Sequence, residues 1–256
     1  MCERADERAV SEVVGFVLVF SLVVGTIALV YVTGFAGLTD TRDVEQVNNA
    51  ERAFDVLADG FDKLARGEAP NRATEIKLAD AQLTLGNLKQ GAVTDSDGTM
   101  VAEIPQHRPI VYTAPSGSEV VYEHGAVIRV DDGGAATMRR EPDFIIGEER
   151  TVIRHIETSN LQIGSQSVAG DTTVLVRSSA TRSDLLYSAV ENDEVTLALD
   201  TAEERASAWT EYMESEMPDG GTCSVSDPID GEVSVECTFE TETIYVSKTR
   251  IKVDFT

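Results

Sequence analysis

From Val13 to Thr39 the chain carries no charged side chain, reading VVGFVLVFSLVVGTIALVYVTGFAGLT. As a helix these roughly 26 residues reach ~39 Å, against ~30 Å for the hydrocarbon layer of a bilayer. The run is apolar on every face, unlike a soluble amphipathic helix, and is longer than the apolar part of a secretory signal. It predicts a helix that spans a membrane. Beyond Thr39 the pattern turns polar but keeps a helical period: Val44, Val47, Ala50, Phe54, Leu57, Phe61 and Leu64 recur at spacings of three and four. Charged residues fill the other faces, which predicts an amphipathic continuation to about Arg66, with Gly67 as its C′ residue and Pro70 beyond. Gly34 and Gly37 are candidate points for a kink or a break. The stripe has two possible uses: docking on the rest of the same chain, or packing against other copies.

From Thr74 onward the period changes to short β-rich runs separated by turn residues, as in sandwiches and barrels. The predicted strands are 75–78, 82–85, 100–104, 110–113, 120–122, 127–130, 144–146, 152–156, 173–176, 195–199, 224–226, 233–238 and 244–255. Ile110 to Tyr122 reads as a hairpin about Ala114–Ser118, and Asp95–Thr99 as a hairpin turn. Thr201 and Glu204 form a capping-box pattern opening a helix from Ala202 to Met217, with Trp209 as a core anchor. The expected fold class is therefore α+β: a long N-terminal transmembrane and stalk helix, then a mainly antiparallel, sandwich-like β domain with one inserted helix. The expected segments are 1–9, a leader; 10–39, the transmembrane helix; 40–68, the stalk; and 70–256, the β-rich domain.

Composition narrows the partners. The 256 residues hold 45 Asp and Glu against 21 Lys and Arg, for a net charge of −24. Such a field repels polyanions, so no nucleic-acid partner is expected. The acids are spread along the chain, a pattern suited to molar salt, where the Debye length falls to ~3 Å. Cys223 and Cys237 are centred on residue 230, inside Pro228–Glu232. If that segment is a hairpin turn the two face each other, and either a disulfide worth ~3 kcal/mol or two buried thiols would fit. His107, His124 and His155 lie far apart in the chain with no metal-binding spacing, so no metal site and no cofactor is expected. Nucleophile elbows, phosphate loops and dinucleotide fingerprints are missing too, and the expectation is that the protein is not an enzyme.

Directly before the apolar run stands Arg8-Ala9-Val10-Ser11-Glu12-Val13-Val14-Gly15: a charge, a small residue, a short polar stretch with an acid, then the span. Here the chain resembles archaeal type IV pilins and archaellins, particularly haloarchaeal pilin-like proteins. The resemblance implies cleavage by a membrane prepilin peptidase between Ala9 and Val10, with Arg8, Ala9 and Val10 as the processing site. It also implies a subunit contact between Glu12 and the N-terminal amine of a neighbour, two charges that attract strongly in a low-dielectric filament core. Ala9 stands where these pilins more often carry Gly, Glu12 replaces a common Pro, and the leader is net acidic. The expected function is a structural subunit, held in the cell membrane by one pass with its C-terminal domain outside, and assembled with copies of itself or other pilin-like subunits. The alternative is an anchored surface module that binds a ligand or partner without polymerising.

Overall fold

The computed structural model describes residues 6–160, 167–190 and 194–256; at 6–12, 33–40 and 160 it describes the backbone alone. The chain divides into two compact units, Met1–Glu45 and Gln46–Thr256. Helix α1 runs Asp6–Ala65 and is not broken at Gly34 or Gly37. Its C-terminus closes as the glycine and proline signals predict. Gly67 takes φ 72°, the Glu68 N–H donates to the Lys63 carbonyl at 2.9 Å, and the Gly67 N–H donates to that of Leu64 at 3.1 Å. This 6→1 and 5→2 pair forms a Schellman motif.

Sixteen strands follow among the described residues. The first eight are β1 (Asn71–Lys77), β2 (Gln82–Leu85), β3 (Lys89–Asp95), β4 (Met100–His107), β5 (Ile110–Thr113), β6 (Glu119–Glu123), β7 (Ala126–Val130) and β8 (Ala136–Arg140). The rest are β9 (Phe144–Ile145), β10 (Thr151–Asn160), β11 (Ser167–Ala169), β12 (Thr173–Val190), β13 (Glu194–Ala202), β14 (Thr222–Val225), β15 (Glu232–Glu240) and β16 (Thr243–Phe255). A 3₁₀ turn at Glu203–Arg205 leads into helix α2, Ala206–Glu216. The class is α+β with a mainly antiparallel β domain, as the pattern predicts; β10 and β16 pair in parallel.

The strands are partitioned among three sheets. One has the order β1-β12-β16-β10-β9, a second β11-β2-β5-β6-β7-β8, and a third β14-β15-β13-β3-β4. Two apolar clusters fill the space between them. The first is built on α1: Val47, Ala50, Phe54, Leu57, Phe61 and Leu64 are all buried against Ile76, Leu83, Tyr112, Tyr122, Val176 and Ile251. The stripe therefore docks on the β domain of its own chain, although Val44, its first expected member, is exposed. Because Gln46–Ala65 lies within the β unit, the stalk helix is a core element of that domain. The second cluster surrounds α2, whose Trp209 is fully buried among Ile128, Leu197, Val235 and Val246.

The capping box does not form. Ala202 occupies the N-cap of the 3₁₀ turn with no side-chain cap, and the Thr201 hydroxyl instead donates to the Glu123 carboxylate at 2.5 Å. A buried carboxylate that needs donors outcompetes the local cap. At Asp95–Thr99 the structure forms the expected hairpin turn: Asp95 Oδ1 accepts from the backbone N–H groups of Asp97 and Thr99, and Gly98 takes φ 74°.

Candidate functional site

Within the first unit, Val13–Val32 is long and apolar enough to cross a membrane, with mean hydropathy 2.8 and none of it buried. Phe16, Leu18, Leu22, Ile27, Leu29 and Tyr31 each expose more than half of their surface. Burying apolar side chains contributes about 25 cal/mol per Å², so leaving a run of this kind in water would be costly. The side chains of Arg8, Ala9, Val10 and Glu12 lie outside the described residues.

A second candidate lies inside the β unit, where the three sheets meet. Glu123 is fully buried at the end of β6. Its carboxylate accepts from Thr201 Oγ1, from Trp209 Nε1 at 2.8 Å and from Arg205 Nε at 3.1 Å. Burial pushes the carboxyl pKa up, but the Arg205 charge, the His124 ring and these donors outweigh it, and the pKa lies below its ordinary value. Arg205, itself buried, is lowered by desolvation but raised overall by Glu123. Lys89 is buried on β3 and pairs with Glu232; desolvation and the Arg205 charge bring its pKa down.

Next to this network three buried histidines converge, one from each sheet. His107 ends β4, His124 occupies the turn between β6 and β7, and His155 lies on β10. Their ring centroids are 4.1 Å apart for His107 and His124, 5.0 Å for His107 and His155, and 5.6 Å for His124 and His155. One nitrogen from each ring falls within 4.8 Å of the other two. The backbone enforces this. His124 and Gly125 form a two-residue turn with φ 48° and 94°, the left-handed pair of a type I′ hairpin, where Asn-Gly is the usual choice. Arg108 and Thr158 exchange a backbone and a side-chain hydrogen bond, tying the chain after His107 to β10.

The hydrogen bonds leave most ring nitrogens unmatched. His124 Nε2 donates to the Asp200 carbonyl at 2.9 Å, and His107 Nε2 accepts from the His124 backbone N–H at 3.3 Å. Of the other four nitrogens, none makes a well-aligned hydrogen bond; the Lys89 backbone carbonyl is the nearest acceptor for His107 and the Pro105 carbonyl for His155, and His124 Nδ1 has neither. Leaving a buried polar atom so costs about 1–3 kcal/mol. Desolvation holds all three rings below the ordinary histidine pKa, His107 and His155 well below it. Neighbouring charge acts in the same direction on His107 and His155. Neutral imidazole is the form that binds transition metals.

The expectation of no metal site rested on separation along the chain, and the fold removes that ground. Pairing between distant strands, invisible to local spacing, brings the three rings together. One signal was present: on β10, Ile153, His155 and Glu157 share a buried face, so His155 stands in a core position. His155 is also among the residues lining a cleft of about 360 Å³, with Asp62, Arg154, Asp184 and Lys248.

Cys223 and Cys237 stand directly opposite on β14 and β15 and are joined by a disulfide, with an S–S distance of 2.05 Å. Of the two arrangements the sequence allows, the structure has the bonded one.

Nothing among the curated proteins and nothing among the solved structures matches this chain. Residues 8–254, which take in the apolar helix, the three histidines, Cys223 and Cys237, match the family of unknown function DUF7289, and the chain belongs to that family.

Proposed function

We propose that the protein is a pilin-like structural subunit, stored in the membrane on its apolar helix and then assembled into, or alongside, a cell-surface filament. The observation that carries this reading is the division of labour along α1. Val13–Val32 is wholly exposed and apolar, while the later turns of the same helix form the core of a β domain. Such a subunit is anchored by one end of a helix whose other end is part of the folded head. In this reading a prepilin peptidase cuts between Ala9 and Val10, next to Arg8, and Glu12 meets the new N-terminal amine of a neighbour. Exchanging lipid contacts for helix contacts is nearly neutral, so packing and that charge pair tip the balance toward assembly. The disulfide supports a β domain on the oxidising, outer side of the membrane.

One observation favours the anchored module that does not polymerise. The amphipathic stripe is covered by the chain's own β domain, which leaves residues 10–45 to make helix contacts between copies. The experiment is to shear cells, sediment the released material and determine the N-terminus of the mature chain by mass spectrometry. Fibres containing a chain that starts at Val10 support the subunit. A processed or intact chain that stays monomeric in the membrane fraction favours the module. An intact Met1 in assembled fibres overturns the cleavage step.

A further inference from the structure

We propose that His107, His124 and His155 form a binding site for one divalent transition ion, of which Zn²⁺ is the representative, and that the ion fastens the three sheets of the β domain to one another. This goes beyond the anchoring reading and does not depend on it.

The argument starts from lone pairs. A neutral imidazole has one N–H and one lone pair. The His124 N–H is committed to the Asp200 carbonyl, so its lone pair is on Nδ1, which is buried and unmatched. A histidine ligand whose other nitrogen donates to a backbone carbonyl is the common arrangement in metal sites, because the carbonyl fixes the tautomer and orients the ring. The His155 ring has the Pro105 backbone carbonyl as its acceptor neighbour and no donor at either nitrogen, so its lone pair is buried and unmatched. The His107 Nε2 lone pair receives only the long 3.3 Å contact. One ring nitrogen of each histidine lies within 4.8 Å of the other two, and none of the three rings donates to another. A cation satisfies a lone pair of each at once.

The spacing fits. With Zn–N bonds of ~2.0–2.1 Å, tetrahedral geometry places ligand nitrogens ~3.4 Å apart and ring centroids ~5.3 Å apart. The observed centroid separations of 4.1, 5.0 and 5.6 Å bracket that value. Drawing in the nitrogens from their present span asks for ring rotation about χ2, a soft torsion. An all-imidazole set suits Zn²⁺, Cu²⁺ or Ni²⁺ and disfavours Ca²⁺ and Mg²⁺, which take oxygen ligands.

The surrounding charge shapes the site. Lys89 and Lys248 oppose a cation, while the Glu123 carboxylate, one residue before His124, favours it. Glu123 is occupied by three donors, so the fourth position falls to water or hydroxide, and hydroxide halves the charge the interior must carry. The three histidines are almost wholly buried, and His155 is the one that also lines the cleft of about 360 Å³. An ion this enclosed, bound by one residue from each sheet, is structural.

The test uses the full chain in detergent, stripped with a chelator and kept in millimolar Mg²⁺ to saturate the surface carboxylates. One equivalent of Zn²⁺ is expected to stay with the chain through desalting and to raise the thermal midpoint by about 5 °C or more. Co²⁺ in its place is expected to give the intense visible absorption of a tetrahedral site. The His155→Gln chain is expected to bind Zn²⁺ at least ~100-fold more weakly and to lose the thermal response. Failure of the wild-type chain to retain Zn²⁺, with an unchanged midpoint, overturns the proposal. So does a His155→Gln chain that keeps the full response, because the ion then sits elsewhere. If His155→Gln does not fold, the wild-type Co²⁺ spectrum decides: absorption of an octahedral, water-rich ion overturns the site and tetrahedral absorption supports it.

Discussion

Glu123 is the residue on which the second apolar cluster depends most. It is fully buried, and three side chains from the single stretch Thr201–Trp209 donate to it. Removing one partner from a buried ion pair strands the other charge, at a cost of about 3–5 kcal/mol. Glu123→Gln is therefore expected to destabilise the β domain by about that much, measured by chemical unfolding of the full chain in detergent. Adding Arg205→Met removes the stranded charge, so the double variant should lose less than the sum of the two single losses. Gly91 makes a different demand. A Cβ there would lie 2.5 Å from the Ala198 carbonyl oxygen on the neighbouring strand, so β3 and β13 pair as they do only because the side chain is absent. Gly91→Ala is expected to cost about 1–3 kcal/mol in the same assay, and a neutral result would mean that the two strands part easily. Neither residue announced itself in the sequence. Glu123 is one of 45 acids, and its partners Arg205 and Trp209 are more than eighty positions away. The histidines were hidden for the same reason: their meeting depends on which strands pair, which local periodicity does not carry.

At the level of elements, what was legible follows from how much of each element's environment is local. The apolar run, the amphipathic stripe and the Gly67 stop are repeating or punctuating signals, and α1 forms as they predict. Strands with an alternating apolar face, such as Ile251, Val253 and Phe255 on β16, were equally readable. Three strands were not. The buried face of β3 is Lys89, Gly91 and Val93, a charge and a glycine where alternation would show apolar residues. β8 lies at the edge of its sheet, and its Arg139 and Arg140 pair with Glu51 and Asp62 of α1, contacts that exist only in the fold. β11 is three residues long. The middle of β12, Arg177–Asp184, is mostly polar, and the strand carries two register irregularities, which hid its length. The stripe on α1 supplies a sharp test of element-level packing. Phe54 is fully buried within the first apolar cluster, whereas Val44 is half exposed. Phe54→Ala is expected to cost about 3–5 kcal/mol and Val44→Ala less than about 0.5 kcal/mol, compared by thermal unfolding. Comparable losses at the two positions would mean that the helix is held along its whole length by something other than the β domain.

At the scale of the whole molecule, the boundary between Glu45 and Gln46 separates two different solutions to burying apolar surface. Gln46–Thr256 contains both apolar clusters and all three sheets, and its helix turns from Val47 to Leu64 are covered by its own strands. Gln46 itself closes the top of that cluster, donating to the Leu78 and Ala79 carbonyls and to the Tyr112 hydroxyl. Val13–Val32 in the preceding unit has no such cover among the described residues, and it is long and apolar enough to cross a bilayer. The two parts are expected to separate cleanly. A chain beginning at Gln46 should fold with its disulfide, remain monomeric without detergent and show the cooperative unfolding of an intact core. The full chain, by contrast, should require detergent and float with liposomes in a density gradient, because about 20 apolar residues far outweigh the 1-kcal scale of a headgroup contact. Flotation of the shortened chain would place a membrane-binding surface on the β domain. A full chain that stays dissolved without detergent would mean that Val13–Val32 is covered by protein, and the helix would then be an assembly element from the outset.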